Sequence, residues 1–74
     1  MATYRYYSIG HRYATRNQPG PDNPGKIEIL GWSRDHGRAA HVQGTIAVYY
    51  ASSRKMAAGM ARRDRGFDID WRKF

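Results

Sequence analysis

The most regular stretch of the chain is FDIDW near its end, where Phe67, Ile69 and Trp71 alternate strictly with Asp68 and Asp70. A period of two puts the apolar side chains on one face and the carboxylates on the other, which predicts a strand. Residues 3–9 (TYRYYSI) and 26–33 (KIEILGWS) are rich in Tyr, Ile and Trp and predict two more. In the second of these, Ile27 and Ile29 point one way, and Leu30 and Trp32 the other. Another strand is expected over about 40–50 (AHVQGTIAVYY), with Gly44 marking a bulge or a close backbone approach. Between them Asp35-His36-Gly37 reads as a hairpin turn in which glycine supplies the positive φ. A short helix over 34–43 is the competing assignment.

After residue 51 the period changes. Ser52 or Ser53 offers a helix N-cap, the helix runs to about Asp64, and Gly66 supplies a left-handed stop. At 100° per residue Met56, Ala57, Met60 and Ala61 share an arc of about 140°. Lys55, Arg62 and Arg63 lie opposite, around Gly59, and Arg54 flanks the apolar arc. The predicted fold is therefore α+β: a small antiparallel sheet in β-β-β-α-β order with one helix packed on one face. Residues 14–25 (ATRNQPGPDNPG) interrupt it with three Pro, two Gly, two Asn and one Asp, and read as a long loop.

Composition narrows the picture. With 74 residues the chain forms a single domain, 1–74. Leu, Ile, Val and Phe together supply only 10 of the 74 side chains, so the core is thin. Six Tyr and two Trp argue for a folded domain that leans on aromatics and on a partner, a second copy of the chain being one candidate. Absence of cysteine removes disulfides, thiolate zinc sites and thiol nucleophiles. No apolar run approaches the ~18 residues of a membrane span, and the first residues lack a signal-peptide pattern, so a cytoplasmic location is expected.

Charge adds the main functional clue. Thirteen Lys and Arg oppose six Asp and Glu, a net +7. Residues 51–66 hold Arg54, Lys55, Arg62, Arg63 and Arg65 against Asp64, a local charge of +4. Arginine forks pair bidentately with phosphate, so these five residues are the candidate nucleic-acid contacts. The alternative is a solvated helix face that keeps a small protein soluble.

If Ile27, Ile29, Ile46, Val48 and Ile69 face the helix, then Leu30, Trp32 and Tyr49 face away, with Tyr7 and Ile9. Trp32, Tyr49 and Tyr7 are thus candidate partner-binding residues, for a protein, a second copy or stacked bases. This aromatic face and the basic helix face would point in opposite directions.

Ser53-Arg54-Lys55-Met56-Ala57 with Ala61 resembles the start of the last helix of double-stranded-RNA-binding domains, which implies phosphate contacts for its basic pair. The likeness is local: no first helix is predicted, and FDIDW follows the helix. Residues 43–50 fall where the RNP1 segment of an RNA-recognition motif would sit. There Gly44, Val48 and Tyr50 match, while Thr45 and Ala47 replace the stacking aromatics.

Catalytic candidates are sparse. His11 or His41 could act as base in a small ribonuclease with an Arg clamp, and His36 and His41 flank the predicted turn. Asp68 and Asp70 share a face, as a metal pair might, but no metal site or cofactor is expected. The leading expectation is a small basic, non-enzymatic module that contacts nucleic acid or a nucleoprotein complex through its Arg-rich helix. The alternative is a small inhibitor or adaptor of the phage or mobile-element type, anti-CRISPR-like, acting by protein–protein binding. A small ribonuclease is third.

Overall fold

A computed structural model describes residues 3–11 and 27–72. The predicted 14–25 loop lies outside the described residues. The elements are β1 (Arg5–His11), β2 (Ile27–Ser33), α1 (His36–Ala40), β3 (Thr45–Ala51) and α2 (Arg54–Arg65). The class is α+β, with one antiparallel sheet in the order β2-β1-β3. The most buried strand, β1, lies at its centre, antiparallel to both neighbours.

The hairpin expected at residues 35–37 is instead the start of α1. Asp35 is its N-cap: the Asp35 carboxylate accepts the Arg38 N–H at 3.0 Å. Ser33 Oγ accepts the Asp35 N–H at 3.1 Å, which ties the strand end to the helix start. Because the chain turns into a helix, β2 and β3 do not pair. Both run antiparallel to β1, so they are parallel to each other, and α1 carries the chain over the sheet between them.

Two irregularities decide which side chains face which way. The β1–β2 register shifts between Ser8 and Ile9, where partners pass from Gly31 to Ile29 and leave Leu30 extra. The β1–β3 register shifts between Ile9 and Gly10, where partners pass from Ala47 to Thr45 and leave Ile46 extra. A bulge reverses the in/out parity of every residue beyond it. Trp32 therefore lies opposite Tyr7, on the same side as Ile29, against the expected alternation. On β3 the sheet face that meets α2 is Ala47, Tyr49 and Ala51, while Ile46 is exposed. Tyr7 and Ile9 also belong to this core, so the expected division of the two sheet faces is corrected.

Helix α2 has the predicted ends. Ser53 Oγ accepts the Met56 N–H at 3.0 Å, and Gly66 takes φ 73° with its N–H donating to Arg62 O at 2.8 Å. Its rotation differs from the expected one. The buried stripe is Ala57, Ala58 and Ala61, whereas Met60 lies at its border and Met56 is exposed. Alanines let the helix axis approach the sheet closely, and longer methionines would hold it off. Met56 serves the helix start instead, its sulfur accepting from Ser52 N at 3.4 Å and Ser52 Oγ at 3.6 Å.

The expected final strand is absent. Residues 66–70 have no strand or helix structure, and a turn follows. The alternation nevertheless holds: Ile69 is buried, Phe67 and Trp71 are partly buried against the core, and Asp68 and Asp70 are exposed. The segment folds back over α2 instead of adding a ladder. On the opposite sheet face α1 covers Ser8, a fully buried polar residue whose hydroxyl donates to Ala39 O at 2.6 Å. Two helices thus lie against the sheet, one on each face, in place of the single helix expected. No helix among the described residues is long and apolar enough to cross a membrane.

Candidate nucleic-acid interface

The rotation of α2 places its cations. Lys55, Gly59 and Arg62 follow one another at four- and three-residue spacing, so they form one stripe along the helix. The stripe borders the buried alanines on the Ala58 side, next to the returning segment. Together Lys55, Ala58, Gly59, Arg62, Phe67, Asp68, Ile69 and Trp71 enclose a groove of about 260 Å³. Gly59 is its floor: a Cβ there would meet no atom within 4 Å. Trp71 is its aromatic wall, with Lys55 Nζ 6.0 Å and the Arg72 guanidinium 5.8 Å from the ring centre. These distances reach the outer limit of a cation–π contact, so the ring is only loosely engaged. Lys55 and Arg62 are exposed and pair with no carboxylate among the described residues.

The remaining basic candidates separate. Arg54 is half-buried in the first turn, while Arg63 and Arg65 are exposed. Arg63 lines a shallow hollow on the other side of the helix with Tyr49, Met60 and Asp64. Arg65 Nε lies 3.7 Å from Asp64, a solvated pair of little energetic weight. Asp64, the single carboxylate of α2, also accepts the Tyr49 hydroxyl at 2.7 Å. Its charge is therefore engaged at the Tyr49 hollow, across the helix from the groove.

The three aromatic candidates occupy different settings. Tyr7 is 4% exposed and belongs to the core, so it offers no surface to a partner. Tyr49 is packed against the core, and its hydroxyl is taken up by Asp64. Trp32 is exposed, with the Arg5 guanidinium 4.1 Å over its ring. The aromatic cluster on the α1 side of the sheet is a different set. Tyr50 is centred 5.3 Å from Tyr4 and 4.7 Å from Tyr6, and Tyr6 meets His36 edge-on at 5.3 Å. Tyr4 and Tyr50 are exposed at the outer end of this row. Sequence reasoning missed them because it put the helix on the Ile46–Val48 face, whereas α2 packs on the Tyr7–Tyr49 face and leaves Tyr50 on the other.

Burial first, then the hydrogen bond to Asp64 and its negative charge, raise the Tyr49 phenol above its ordinary 10.0, with Arg65 pulling the other way. The folded state holds this proton more tightly than the unfolded chain does. The contribution to stability is thus fully present below about pH 10 and is lost as pH rises through the higher folded value. Urea-unfolding midpoints should fall more steeply above about pH 10 in the wild type than in Tyr49→Phe. Equal falls in the two proteins would refute the linkage.

The histidines and carboxylates suggested for catalysis are spread over the fold. His11 ends β1, His36 starts α1 beneath Tyr6, and His41 caps the other end of α1. Asp70 accepts the Arg72 N–H at 3.1 Å, and Asp68 lines the groove. No group of three or more potential metal ligands occurs among the described residues. Comparison of the chain with protein-family models, curated proteins and solved structures finds no match.

Proposed function

We propose that the protein is a small non-enzymatic binding module that contacts nucleic acid, free or within a nucleoprotein complex, through α2. The observation that carries this reading is the exposed Lys55–Gly59–Arg62 stripe, without a carboxylate partner among the described residues and facing an aromatic wall. Helix stability alone does not account for these cations. Arg62, Arg63 and Arg65 in the last turn do favour the helix dipole, each by about 0.3–1 kcal/mol. Lys55, however, occupies the first turn, which carries no acidic residue and where the dipole disfavours positive charge. A polyanionic ligand compensates for that placement.

Binding of labelled DNA and RNA at two salt concentrations tests the proposal. About four phosphate contacts, from Lys55, Arg62, Arg63 and Arg65, give a log–log salt slope near −3.6, or about 0.9 per contact, on duplex DNA. Between about 50 and 200 mM salt the affinity should then drop on the order of 100-fold. Lack of binding to any nucleic acid at low salt removes the reading.

A second reading, a protein-binding inhibitor or adaptor, is supported by the exposed Tyr4 and Tyr50 on the opposite side of the molecule. Tyrosine is a typical anchor at protein interfaces. It predicts a stoichiometric protein complex that survives nuclease treatment and that Tyr50→Arg disrupts. A complex that dissolves with nuclease would exclude it.

A further inference from the structure

The chemistry of the groove says more about its ligand than the charge of the helix does. A site built for backbone phosphate alone needs donors and cations and gains nothing from a carboxylate. This groove contains both signs: Lys55 and Arg62 on the helix, and exposed Asp68 on the returning segment. It also contains the half-buried indole of Trp71. A nucleotide with an unpaired base matches all three. Its phosphate pairs with the cations, its ring stacks on the indole, and its N–H groups donate to a carboxylate, as cytosine N4 does. In a duplex the ring faces are stacked on one another, so no base can stack on Trp71 and that part of the match is lost. The volume of about 260 Å³ lies below the roughly 300–1,000 Å³ of pockets that enclose whole ligands, which suits one inserted ring.

We propose that this groove holds one unpaired base of a single-stranded nucleic acid, stacked on Trp71, with the adjoining phosphates on Lys55 and Arg62 and the open floor at Gly59 giving the sugar–phosphate access. The proposal rests on the reading of α2 as a nucleic-acid interface and narrows it to single strands.

Gly59 gives the test its discrimination. A Cβ there meets no atom within 4 Å, so Gly59→Gln starts in open space and extends its side chain into the groove, away from the core. A helix former in place of glycine should also raise the melting temperature. A variant that is more stable yet binds less cannot be explained by loss of fold. Trp71→Ala removes the stacking wall, and Trp71→Phe keeps a ring there.

The full chain is titrated at about 50 mM salt with a labelled oligonucleotide of about 12 nucleotides, as a single strand and as a blunt duplex. RNA and DNA versions tell the two sources of the same chemistry apart. Gly59→Gln and Trp71→Ala are each expected to weaken single-strand binding about tenfold and to lower the ratio of single-strand to duplex affinity. Trp71→Phe should recover most of the loss. If both variants bind single strands as the wild type does while charge reversal on α2 still abolishes binding, base insertion is wrong and the interface reading stands. If the wild-type protein binds neither form, both fail.

Discussion

Gly10→Ala is expected to lower the melting temperature more than any other single-methyl addition to the sheet. Gly10 is buried in the central strand, where the end of β1 runs against the turn before β3. A Cβ at this position would overlap Gly44 O and stand 2.7 Å from Gly44 C and 2.8 Å from Thr45 Cα. All three are backbone atoms, so no rotamer change relieves the clash. The Gly44 carbonyl is also held in place, since it accepts the His11 N–H at 3.0 Å. Gly44 itself sits at φ 89°, a conformation that resists remodelling by any other residue. Relief therefore requires β1 and β3 to separate at that end, with loss of the His11 hydrogen bond. Forced overpacking of this kind costs about 1–3 kcal/mol or more. A chain of this size has only about 4–11 kcal/mol in hand. The melting temperature should fall by roughly 15 °C or more. Gly31→Ala on β2 is the control, because a Cβ there meets nothing within 4 Å and its melting temperature should barely move. If Gly10→Ala melts as Gly31→Ala does, the close approach of the two strands is wrong.

That contact also shows where local sequence reading succeeds. Gly44 stands out in an apolar run, and a close backbone approach is what the structure places there. The ends of α2 are legible for a similar reason: Ser53 and Gly66 act through their own backbone neighbours, so their chemistry is local. The sheet faces are not local. Residues 45–50 (TIAVYY) are apolar at both parities, and nothing within the run says that Ala47 and Tyr49 face α2 while Ile46 does not. Bulges at Leu30 and Ile46 set that choice, and they arise from pairing with a strand distant in sequence. Helix α1 is the competing assignment over 34–43, and it stays open in the sequence because Asp35, His36 and Gly37 suit a tight turn as well as a helix start. The carboxylate cap on Arg38 N, with β1 between β2 and β3, decides in favour of the helix.

FDIDW is the most instructive case. Its alternation correctly separates the inward Phe67, Ile69 and Trp71 from the outward Asp68 and Asp70. Alternation, however, reports which side chains are buried, and a strand ladder is only one way to bury them. Here the segment covers α2, and this brings Trp71 to the basic stripe. The sequence pattern held the right residues but assigned the aromatic surface to Trp32, Tyr49 and Tyr7 on the sheet. The aromatic beside the basic stripe is Trp71, and Trp32, Tyr49 and Tyr7 do not line that groove.

Reversing the charge of that groove should separate a site from a general electrostatic attraction. Lys55→Glu with Arg62→Glu lowers the net charge from +7 to +3, counting four units for two reversals. The fold should survive, because the two changes oppose each other. Glutamate in the first turn favours the helix dipole and glutamate in the last turn opposes it, each by about 0.3–1 kcal/mol. Far-UV circular dichroism should therefore stay close to that of the wild type. Charge-assisted hydrogen bonds contribute about 1.5–3 kcal/mol apiece, so losing two predicts an affinity drop on the order of 100-fold or more. The salt slope on single strands should flatten by about 1.4, or about 0.7 for each phosphate contact removed. Arg34→Glu with Arg38→Glu, one exposed residue just before the Asp35 cap and one within α1, gives the same net charge on another surface. That control should lose far less affinity and keep its salt slope. Equal losses in the two double variants would mean that net charge alone attracts nucleic acid, and α2 would then be a solvated face.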